Sequence, residues 1–310
     1  MKVYSFHKKT VNIPKTVVTI GNFDGIHLGH CALISAAVNE AQLQSCASAL
    51  VTFNPHPQEI IHSKQPVSHI CTSVHQLKLL EEQGLDEVHI IQFTSALSQM
   101  LPEDFALRFL IKRFDIFKIV VGYDFRFGKN RAGDFKLLEK LSQQFNFSLE
   151  EIAPVKHCGQ TVSSSLIREL IGEFRFAEIP KYLGREYSIY GKVEKGMKLG
   201  KKLGFPTANI FPDVTLALAN GVYVTKINLA NKIYYGITNA GNKPTFGKNT
   251  FTVESYIFDL DDEIYGEYLE VTPLFQLRPE IKFLGIEELK KQIIKDVENA
   301  KRYLIENNLV

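Results

Sequence analysis

Two histidines separated by two residues mark the first place where this sequence could do chemistry. His27 and His30 lie about one helical turn apart, so both imidazoles can face one ligand if the segment is helical. Glycines before them would allow close backbone approach, and helix N-termini attract anions. We predict that the loop in front of the histidines consists of Gly21, Asn22, Phe23, Asp24 and Gly25. The pattern indicates a phosphate site, although an isolated histidine pair of this spacing also fits an ordinary helix surface or core.

Three further polar segments follow predicted strands or open a predicted helix. They read Phe53-Asn-Pro-His-Pro57, Gly122-Tyr-Asp-Phe-Arg-Phe-Gly128 and Ser163-Ser-Ser-Leu-Ile-Arg168. A parallel sheet binds ligands beyond the carboxyl ends of its strands, which is where the first two segments fall. The first two also have an ordinary explanation: the prolines could merely stiffen a turn, and the phenylalanines could pack in the core.

A second candidate site begins in a glycine-punctuated basic loop that starts at Gly196 and runs into a polar turn ending at Asn209. Backbone amides beside Gly196, Gly200 and Gly204 could wrap a phosphate, and Lys198, Lys201 or Lys202 would add charge. Thr207 and Asn209 offer neutral oxygens of the kind that magnesium takes. A flexible basic hairpin loop is the alternative for the glycines and lysines alone.

Glu254 stands in the strand-like run Phe251–Phe258, on one face with Thr252, Tyr256 and Phe258. A carboxylate among aromatic residues is unusual in a strand. It could act as a general base on a substrate hydroxyl that attacks a phosphate. The alternative is an exposed glutamate on an edge strand.

The elements that must position these residues change in character near residue 185. Before it, short apolar runs alternate with helical patterns, which predicts a Rossmann-like domain with a parallel sheet. After it, alternating patterns punctuated by Gly, Pro and Asn predict an antiparallel barrel, followed by a C-terminal helix from Gly285 onward. We predict domains at residues 1–182 and 183–310.

Composition limits the classes of function. The chain has 310 residues, a net charge of +2 and no long block of one sign, so nothing favours nucleic acid as a partner. Its four cysteines lack CxxC spacing, which argues against a zinc site. No stretch approaches the roughly 20 apolar residues of a membrane span, and we expect a cytoplasmic protein. Oligomeric state stays open.

The segment GNFDGIHLGH resembles the HxGH signature of the nucleotidyltransferase superfamily. With FNPHP, GYDFRFG and SSSLIR in this order, it resembles the FAD synthetase half of bacterial bifunctional riboflavin kinase/FAD synthetases. The resemblance implies that His27 and His30 bind ATP phosphates and that Ser164 and Arg168 hold the nucleotide from the opposite side. It implies that Asn54, Pro55, His56 and Pro57 lie against flavin and phosphate, that Asp124 binds ribose or flavin-linked groups, and that Phe125 and Phe127 contact the flavin. One departure is Ser165, where the family usually has threonine; the hydroxyl is retained.

LGFPTAN, NGVY, GNKPTFG, VESYIFD and LRPEIKF resemble, in this order, the riboflavin kinase domain, which is a six-stranded antiparallel barrel. The resemblance implies that Thr207 and Asn209 contact magnesium and ATP phosphates, that Glu254 activates the 5′-hydroxyl of the flavin, and that Arg278 lies near the flavin. Gly196, Lys201 and Gly204 would contact nucleotide. Lys201 and Lys243 depart from the family's usual arginine, which would weaken binding because a planar guanidinium is lost.

The leading hypothesis is an enzyme with two ATP- and Mg²⁺-dependent reactions: riboflavin to FMN, then FMN to FAD with release of pyrophosphate. Alternatively one site is silent, or the chain is a flavin-binding regulator that acts on RNA or gene expression. A different HxGH enzyme would leave the PTAN segment unexplained.

Overall fold

The computed structural model describes residues 1–5, 13–62, 67–196, 200, 203–245 and 248–310, without the side chains of 13–14, 243–245 and 248–250. The chain divides into two compact units. The first comprises Met1–Val67 and Gln76–Ser163, and the second comprises Ser68–His75 and Ser164–Val310. The division at residues 182 and 183 stays a prediction, and no sequence pattern assigns the short segment Ser68–His75 to the second unit.

The first unit is built on a six-stranded sheet in which neighbouring strands are parallel. Its strands are β1 (Lys2–Ser5), β2 (Ile13–Ile20), β3 (Ala47–Asn54), β4 (Glu87–Gln92), β5 (Phe114–Gly122) and β6 (Ser148–Ile152). Its helices are α1 (Leu28–Leu43), α2 (Pro57–Ile61), α3 (Ser73–Glu82), of which the residues from Gln76 belong to this unit, α4 (Ser95–Ser98), α5 (Pro102–Ala106) and α6 (Phe135–Phe145). A π-helical turn, Leu107–Ile111, continues α5, and a small hairpin joins β7 (Lys156–His157) to β8 (Gln160–Thr161).

The strand order of this sheet, β1-β4-β3-β2-β5-β6, determines where a ligand site can form. The chain runs from β2 through β3 to β4 on one side, then returns to β5 on the other side of β2. The loops that leave β2 and β5 therefore diverge, and such a switch point is where open α/β sheets bind ligands. Both sequence segments predicted to contact ligand there, after Ile20 and from Gly122, leave the sheet at this point.

The sheet is buried on both faces, as its continuous apolar strands predict. One face packs Val18, Ile119 and Val121 against Leu138 and Leu141 of α6. The opposite face packs Val17 and Val120 against Ala37 and Ala41 of α1. Packing on both faces fixes α1 and its N-terminus relative to the ends of β2 and β5.

The second unit contains a six-stranded antiparallel sheet of order β10-β13-β12-β11-β14-β9. The strands are β9 (Ile189–Lys192), β10 (Ala208–Ile210), β11 (Gly221–Leu229), β12 (Lys232–Thr245), β13 (Lys248–Ile257) and β14 (Tyr268–Pro279). An isolated bridge between Glu194 and Asn209 brings the two edges together, so the sheet forms a nearly closed barrel. Besides the start of α3, the helices of this unit whose bounds the structure describes are α7 (Ser164–Gly172), α8 (Pro180–Leu183) and α9 (Ile286–Glu306).

The long C-terminal helix α9 packs on one face of the barrel sheet. Ala300 and Leu304 pack with Val224, Ile237 and Phe258, all of which are buried. The opposite face carries a chain of buried hydroxyls in which Thr238 Oγ1 lies 2.9 Å from Thr225 Oγ1 and 2.8 Å from Ser255 Oγ. Successive side chains of a strand point to opposite faces, so each strand contributes one set of residues to the α9 side and another to the hydroxyl side. The α9 side is packed with apolar residues, and a polar residue there is therefore unusual.

The predicted architecture is confirmed: a parallel sheet with helices, then a six-stranded antiparallel barrel and a C-terminal helix. The structure differs from the sequence prediction in one segment near the second site. We expected a polar turn at Thr207–Asn209, whereas Ala208–Ile210 forms β10 beside β13. Three residues are too few for an alternating pattern, so only the pairing with β13 reveals the strand. Among the described residues, no helix combines the length and apolarity that a membrane crossing requires.

Candidate active sites

The loop between β2 and α1 is held in a sharply turned conformation. Gly25 has a φ of +82°, which glycine adopts without strain, while Phe23 and Ile26 have φ values of +53° and +39°. Both of these side chains are buried, and their packing offsets the cost of a left-handed backbone. Thr52 Oγ1 donates to the Asn22 carbonyl at 3.1 Å, and Gln76 Nε2 donates to the carbonyls of Asn22 and Phe23 at 3.0 Å. The loop is thus rigid before any ligand arrives.

His27 and His30 are held together by the start of helix α1. His27 is the N-cap residue, and its Nδ1 accepts a hydrogen bond from the His30 amide at 3.2 Å. The two rings stack with centroids 3.6 Å apart and an angle of 13° between their planes. Because Nδ1 of His27 is an acceptor, the neutral ring carries its proton on Nε2 and can donate from there. The predicted pairing of the two imidazoles on one face thus agrees with the stacked geometry.

Gly29, between the two histidines, has a packing role that the sequence did not reveal. A Cβ atom at this position would lie 3.1 Å from His27 Cε1 and 3.2 Å from His27 Nδ1. A larger residue would therefore displace the His27 ring or open the helix cap. This glycine keeps the imidazole stacked over the first turn of α1.

The Asn54-Pro-His-Pro57 segment leaves the end of β3 and opens the short helix α2. Nδ1 of His56 accepts from the Gln58 amide at 3.2 Å, and Glu59 Oε1 accepts from the His56 amide at 3.3 Å. This reciprocal capping box fixes His56, which is 9% exposed. Pro57 is the first residue of α2. The predicted flavin contacts of these four residues stay predictions.

Asp124, Phe125 and Phe127 follow β5 but differ in their surroundings. Asp124 is exposed, while Phe127 is buried in the core of the first unit and stacks on Phe125 with ring centroids 5.3 Å apart. Phe127 also contacts Phe105 of α5. The core role of Phe127 is therefore plain, whereas flavin contact by these three residues stays a prediction.

Ser164 and Arg168 both lie on α7, which belongs to the second unit. Nε of Arg168 donates to the Ser68 carbonyl at 2.6 Å, within the same unit. Both side chains are half-buried. Their predicted contact with the nucleotide stays a prediction.

In the second unit, the key polar residues form a row across the barrel. Asn209 of β10 lies directly opposite Glu254 of β13, and Glu254 lies directly opposite Asn239 of β12. Val222 and Arg278 continue the row on β11 and β14. Directly opposite side chains have Cβ atoms about 4.5–5.5 Å apart and share one face. The register thus places one carboxylate between two carboxamides.

This row opens into a pocket of about 270 Å³ on the face that α9 partly covers. Four predicted site residues, Thr207, Asn209, Glu254 and Arg278, line this pocket together. Its apolar wall consists of Leu203, Phe205, Val222, Ile237, Tyr256, Ile281, Phe283, Leu289 and Ile293. A planar aromatic ligand with a polar tail fits such a lining, because its ring would bury apolar surface while the tail meets the polar row.

The glycines of the 196–204 segment allow close packing around the PTAN strand. A Cβ at Gly196 would lie 2.7 Å from Asn209 Oδ1, and one at Gly200 would lie 2.3 Å from the Phe205 carbonyl oxygen. Gly204 instead has a φ of +88° with open space around it. Gly196 therefore packs closely against Asn209, and Gly200 packs closely against Phe205 and Thr207. The nucleotide contacts predicted for Gly196 and Gly204 stay predictions, and Lys198, Lys201, Lys202 and the Lys243 side chain lie outside the described residues.

Arg278 lines the pocket, but its guanidinium is engaged by a buried carboxylate of α9. Nη2 donates to Asp296 Oδ2 at 2.8 Å, and Nε lies 3.0 and 3.1 Å from the two carboxylate oxygens. Asp296 is 2% exposed and also accepts from Gln292 Nε2 at 2.8 Å. This bidentate pair ties α9 to β14 at the pocket wall.

Tyr223, which follows the pocket residue Val222, faces the other side of the barrel sheet and belongs to its framework. Its hydroxyl donates to the Ala219 carbonyl at 2.6 Å, and burial raises the pKa of this phenol to about 12. Tyr223 therefore stays protonated at neutral pH. Three carboxylates line the pocket side, Glu254, Glu280 and Asp296. Asp296 is engaged by Arg278, and Glu254 is the one that lies in the row between Asn209 and Asn239.

Three polar pocket residues, Asn239, Glu280 and Asp296, were assigned no role by the sequence analysis. Asn239 had a weak signal, a polar residue within an otherwise apolar strand face. Asp296 interrupts the apolar stripe of α9 between Ile293 and Val297, yet a charged residue at that spacing is common on a helix. The place of Asn239 in the site is revealed only by its position opposite Glu254. That of Asp296 is revealed only by its contact with Arg278.

The residues present fit a magnesium ion. Asn209 Nδ2 donates to the Thr207 carbonyl at 3.0 Å, which leaves the Oδ1 atom of Asn209 for a cation. Thr207 adds a hydroxyl, and both are oxygen donors of the kind magnesium prefers. Within the described part of the chain, no group of three or more His, Cys, Asp or Glu residues could hold a metal by itself. This donor set suits an ion that takes its remaining ligands from nucleotide phosphates and water.

Comparison with known proteins gives two adjacent family matches. Residues 9–166 match the FAD synthetase family, and residues 183–304 match the riboflavin kinase family. Together the two matches cover most of the chain.

Similar proteins match over almost the full length. The bifunctional riboflavin kinase/FMN adenylyltransferase of Buchnera aphidicola subsp. Schizaphis graminum is 36% identical over 292 residues, which cover 93% of this chain and 94% of that protein. The protein of the same name from Haemophilus influenzae is 33% identical and covers 92% of this chain and 93% of its own. A solved structure named a macrolide-efflux protein, from Streptococcus pneumoniae, matches 97% of this chain and 99% of its own, with a TM-score of 0.75 and 28% identity. On the sequence matches, the chain belongs to the bifunctional riboflavin kinase/FMN adenylyltransferase family.

Proposed function

We propose that separate residues carry the two reactions of this enzyme, the phosphorylation of riboflavin to FMN and the adenylylation of FMN to FAD. The row around Glu254 in the second unit would carry the kinase reaction. The loop and helix start at His27 and His30 in the first unit would carry the adenylyl transfer. ATP is a substrate of both reactions.

In the kinase reaction, the isoalloxazine ring of riboflavin would occupy the apolar part of the pocket and direct its 5′-hydroxyl towards Glu254. Glu254 would accept the hydroxyl proton while the oxygen attacks the γ-phosphorus of ATP. A bond forms between that oxygen and phosphorus, the bond from the γ-phosphorus to the bridging oxygen breaks, and ADP leaves. Asn209 and Asn239, on either side of the carboxylate, are neutral and would hold it in place without neutralising it.

Thr207 and Asn209 would hold Mg²⁺ in the kinase site. When bound, the ion would neutralise charge on the transferring phosphoryl group. The carboxamide oxygen of Asn209 and the hydroxyl of Thr207 would fix its position relative to Glu254. The nucleotide contacts predicted for Gly196, Lys201 and Gly204 would complete this side of the site.

In the adenylyl transfer, a phosphate oxygen of FMN attacks the α-phosphorus of ATP, and pyrophosphate leaves. The protein's main task is then positioning and charge stabilisation. His27 and His30, stacked at the N-terminus of α1, would donate to the phosphates as charge moves onto the leaving pyrophosphate. Gly21, Asn22, Phe23, Asp24 and Gly25 would contact the nucleotide, as would Ser164 and Arg168. Asn54, Pro55, His56, Pro57, Asp124, Phe125 and Phe127 would contact the flavin.

Arg278 would lie near the flavin as part of the pocket wall. Because its guanidinium is paired with Asp296, we assign it to shaping the pocket rather than to binding an anion. We also propose that the enzyme works in the cytoplasm, where ATP is available. We expect no nucleic-acid partner, because the net charge is only +2 and the sequence has no long block of one sign.

The observation that most supports this proposal is the row Asn209–Glu254–Asn239 at the polar end of the pocket. The direct test is a chromatographic time course of the purified protein with riboflavin, excess ATP and Mg²⁺. We expect FMN to rise first and FAD to follow. FMN alone would mean that the adenylyl site is silent, FAD only from supplied FMN would mean that the kinase is silent, and no turnover would favour a regulatory protein.

A further inference from the structure

A positively charged turn follows β5 at the switch point of the first unit. Four loops leave the carboxyl ends of β2, β3, β4 and β5 and reach the next helix, at residues 21–27, 55–56, 93–94 and 123–134. Within these loops, the only lysines and arginines are Arg126, Lys129 and Arg131. Among these four loops, permanent positive charge is therefore concentrated in one turn.

The turn is anchored on both sides by backbone hydrogen bonds. The Phe127 amide donates to the Gly133 carbonyl at 3.1 Å, and the Gly133 amide donates back at 2.9 Å. The Lys129 amide donates to the Met100 carbonyl at 2.8 Å, which holds the turn against the segment after β4. The turn is thus a fixed part of the sheet edge.

Close packing under the turn requires glycine at both of its ends. A Cβ atom at Gly128 would lie 2.6 Å from Pro102 Cα, and one at Gly133 would lie 2.7 Å from Pro102 Cβ. Between them, Asn130 and Arg131 have φ values of +54° and +56°. Asparagine tolerates this region of backbone space, but arginine seldom adopts it. Such strain persists where the surroundings fix the backbone, and it is frequent at functional sites.

The cationic side chains of the turn are exposed. Arg126 donates to the Phe125 carbonyl at 3.0 Å. Lys129 and Arg131 are exposed and form no ion pair with any described residue. A rigid backbone that presents two charges without an acidic partner suits an anionic ligand.

The chemistry of adenylyl transfer calls for such charges. FMN differs from riboflavin by its 5′-phosphate, which must approach the phosphates of ATP although both are anions. β5 lies beside β2 in parallel register, so the loops after both strands leave the same edge of the sheet. His27 and His30 follow β2, and the cationic turn follows β5. The two groups thus stand on the two sides of the switch point.

We infer that Lys129 and Arg131 bind the 5′-phosphate of FMN and make the adenylyl site select FMN over riboflavin. This inference rests on the proposed placement of adenylyl transfer at His27 and His30. Arginine can engage a phosphate with two parallel hydrogen bonds, and lysine adds a compact charge. Removal of both should therefore weaken the binding of FMN without disturbing the chemical step.

The test is the steady-state kinetics of FAD formation by the Lys129→Gln/Arg131→Gln protein. We expect the KM for FMN to rise roughly 10-fold or more, as for loss of charge-assisted hydrogen bonds. We expect kcat and the KM for ATP to change less than about 3-fold, within the usual effect of a surface substitution. 5′-Deoxyriboflavin lacks the 5′-oxygen, so it can carry neither the phosphate that the two cations would bind nor the adenylyl group. It should inhibit the variant and the wild type with the same Ki. Lys136→Gln/Lys140→Gln on α6 removes the same charge from an exposed helix and should leave all constants unchanged.

The alternatives are distinguishable. An unchanged KM for FMN would overturn the inference, and so would an equal rise in the Ki of 5′-deoxyriboflavin, which would indicate contact with the ring. A rise in the KM for ATP alone would assign the turn to the nucleotide. If the variant loses all FAD formation, Lys129→Arg/Arg131→Lys decides: restored KM for FMN supports the charge role, and continued loss contradicts it. A wild-type protein that makes no FAD from FMN would instead refute the proposed function.

Discussion

The two candidate sites are built in opposite ways. In the first unit, His27, His30 and His56 project from loops and helix starts at the ends of parallel strands, and local caps fix them. In the second unit, Asn209, Glu254 and Asn239 are neighbours across three strands of a barrel, and only strand register fixes them. A site of the first kind is encoded in a few contiguous residues. A site of the second kind depends on pairing between distant parts of the chain.

This difference implies different responses to substitution. Loop residues that cap a helix can be disturbed by a single neighbour, because few contacts hold them. Residues in a strand row are held by the whole ladder, so a substitution there removes chemistry while the geometry persists. The following substitutions separate the two sites and the two modes of support.

The largest effect should follow from Glu254→Gln. We expect FMN formation to fall by roughly 10²–10⁴-fold, because the proton acceptor is lost while the strand stays paired. Conversion of FMN to FAD should stay near wild type. Separate assays started from riboflavin and from FMN measure the two steps. Equal losses in both steps would contradict an assignment of Glu254 to the kinase alone.

His30→Ala should have the opposite pattern. We expect FAD formation from FMN to slow by roughly 10²–10³-fold, the usual loss when a donor to the transition state is removed. FMN formation should be unaffected. The measurement is kcat for each step under saturating substrates. FAD formation at the wild-type rate would mean that the first site has been misassigned.

Gly29→Ala tests the local support of His27. The new Cβ would crowd the imidazole, and we expect kcat for FAD formation to fall roughly 10-fold or more, because small displacements of a catalytic group are costly. Gly172→Ala is the matched control, since a Cβ there meets nothing within 4 Å. If both substitutions have the same effect on FAD formation, the loss comes from helix stability and the positioning role of Gly29 is wrong.

Asp296→Asn tests the wall of the kinase pocket. Loss of the buried partner would leave the Arg278 guanidinium uncompensated. We expect the KM for riboflavin to rise roughly 10-fold, the scale of a lost charge-assisted hydrogen bond, with a smaller change in kcat. Glu298→Gln, on the exposed side of α9, should change neither constant. Asp296→Asn/Arg278→Gln should recover part of the affinity; a KM unchanged by Asp296→Asn would contradict a role for the pair in the pocket.

The sequence predicted the contiguous features of both sites well. His27 and His30 fall at the start of a helix after a glycine loop, and the order of parallel and antiparallel strands agrees with the alternating patterns. Thr207, Asn209, Glu254 and Arg278 line one pocket although they come from distant parts of the second unit's sequence. The order of the motifs predicted that these residues belong to one site. It did not predict the strand register that sets Asn209 opposite Glu254.

The remainder depends on long-range pairing that no local pattern contains. Asn239 becomes notable only because register sets it opposite Glu254. Asp296 becomes notable only because α9 packs over the end of β14 and meets Arg278. Gly196 and Gly200 were expected to let backbone amides wrap a phosphate, and the sequence analysis assigned no role to Gly29. Their main constraint is the space taken by a neighbouring side chain or carbonyl.

The central claim, that each reaction has its own residues, can be tested by mixing two inactivated proteins. Glu254→Gln and His30→Ala proteins are incubated separately and together with riboflavin, ATP and Mg²⁺, and the flavins are separated over time. We expect no FAD from the first protein, FMN alone from the second, and FAD from the mixture, because FMN made by one protein is adenylylated by the other. A mixture that makes only FMN, while the Glu254→Gln protein fails to convert supplied FMN, would contradict the claim.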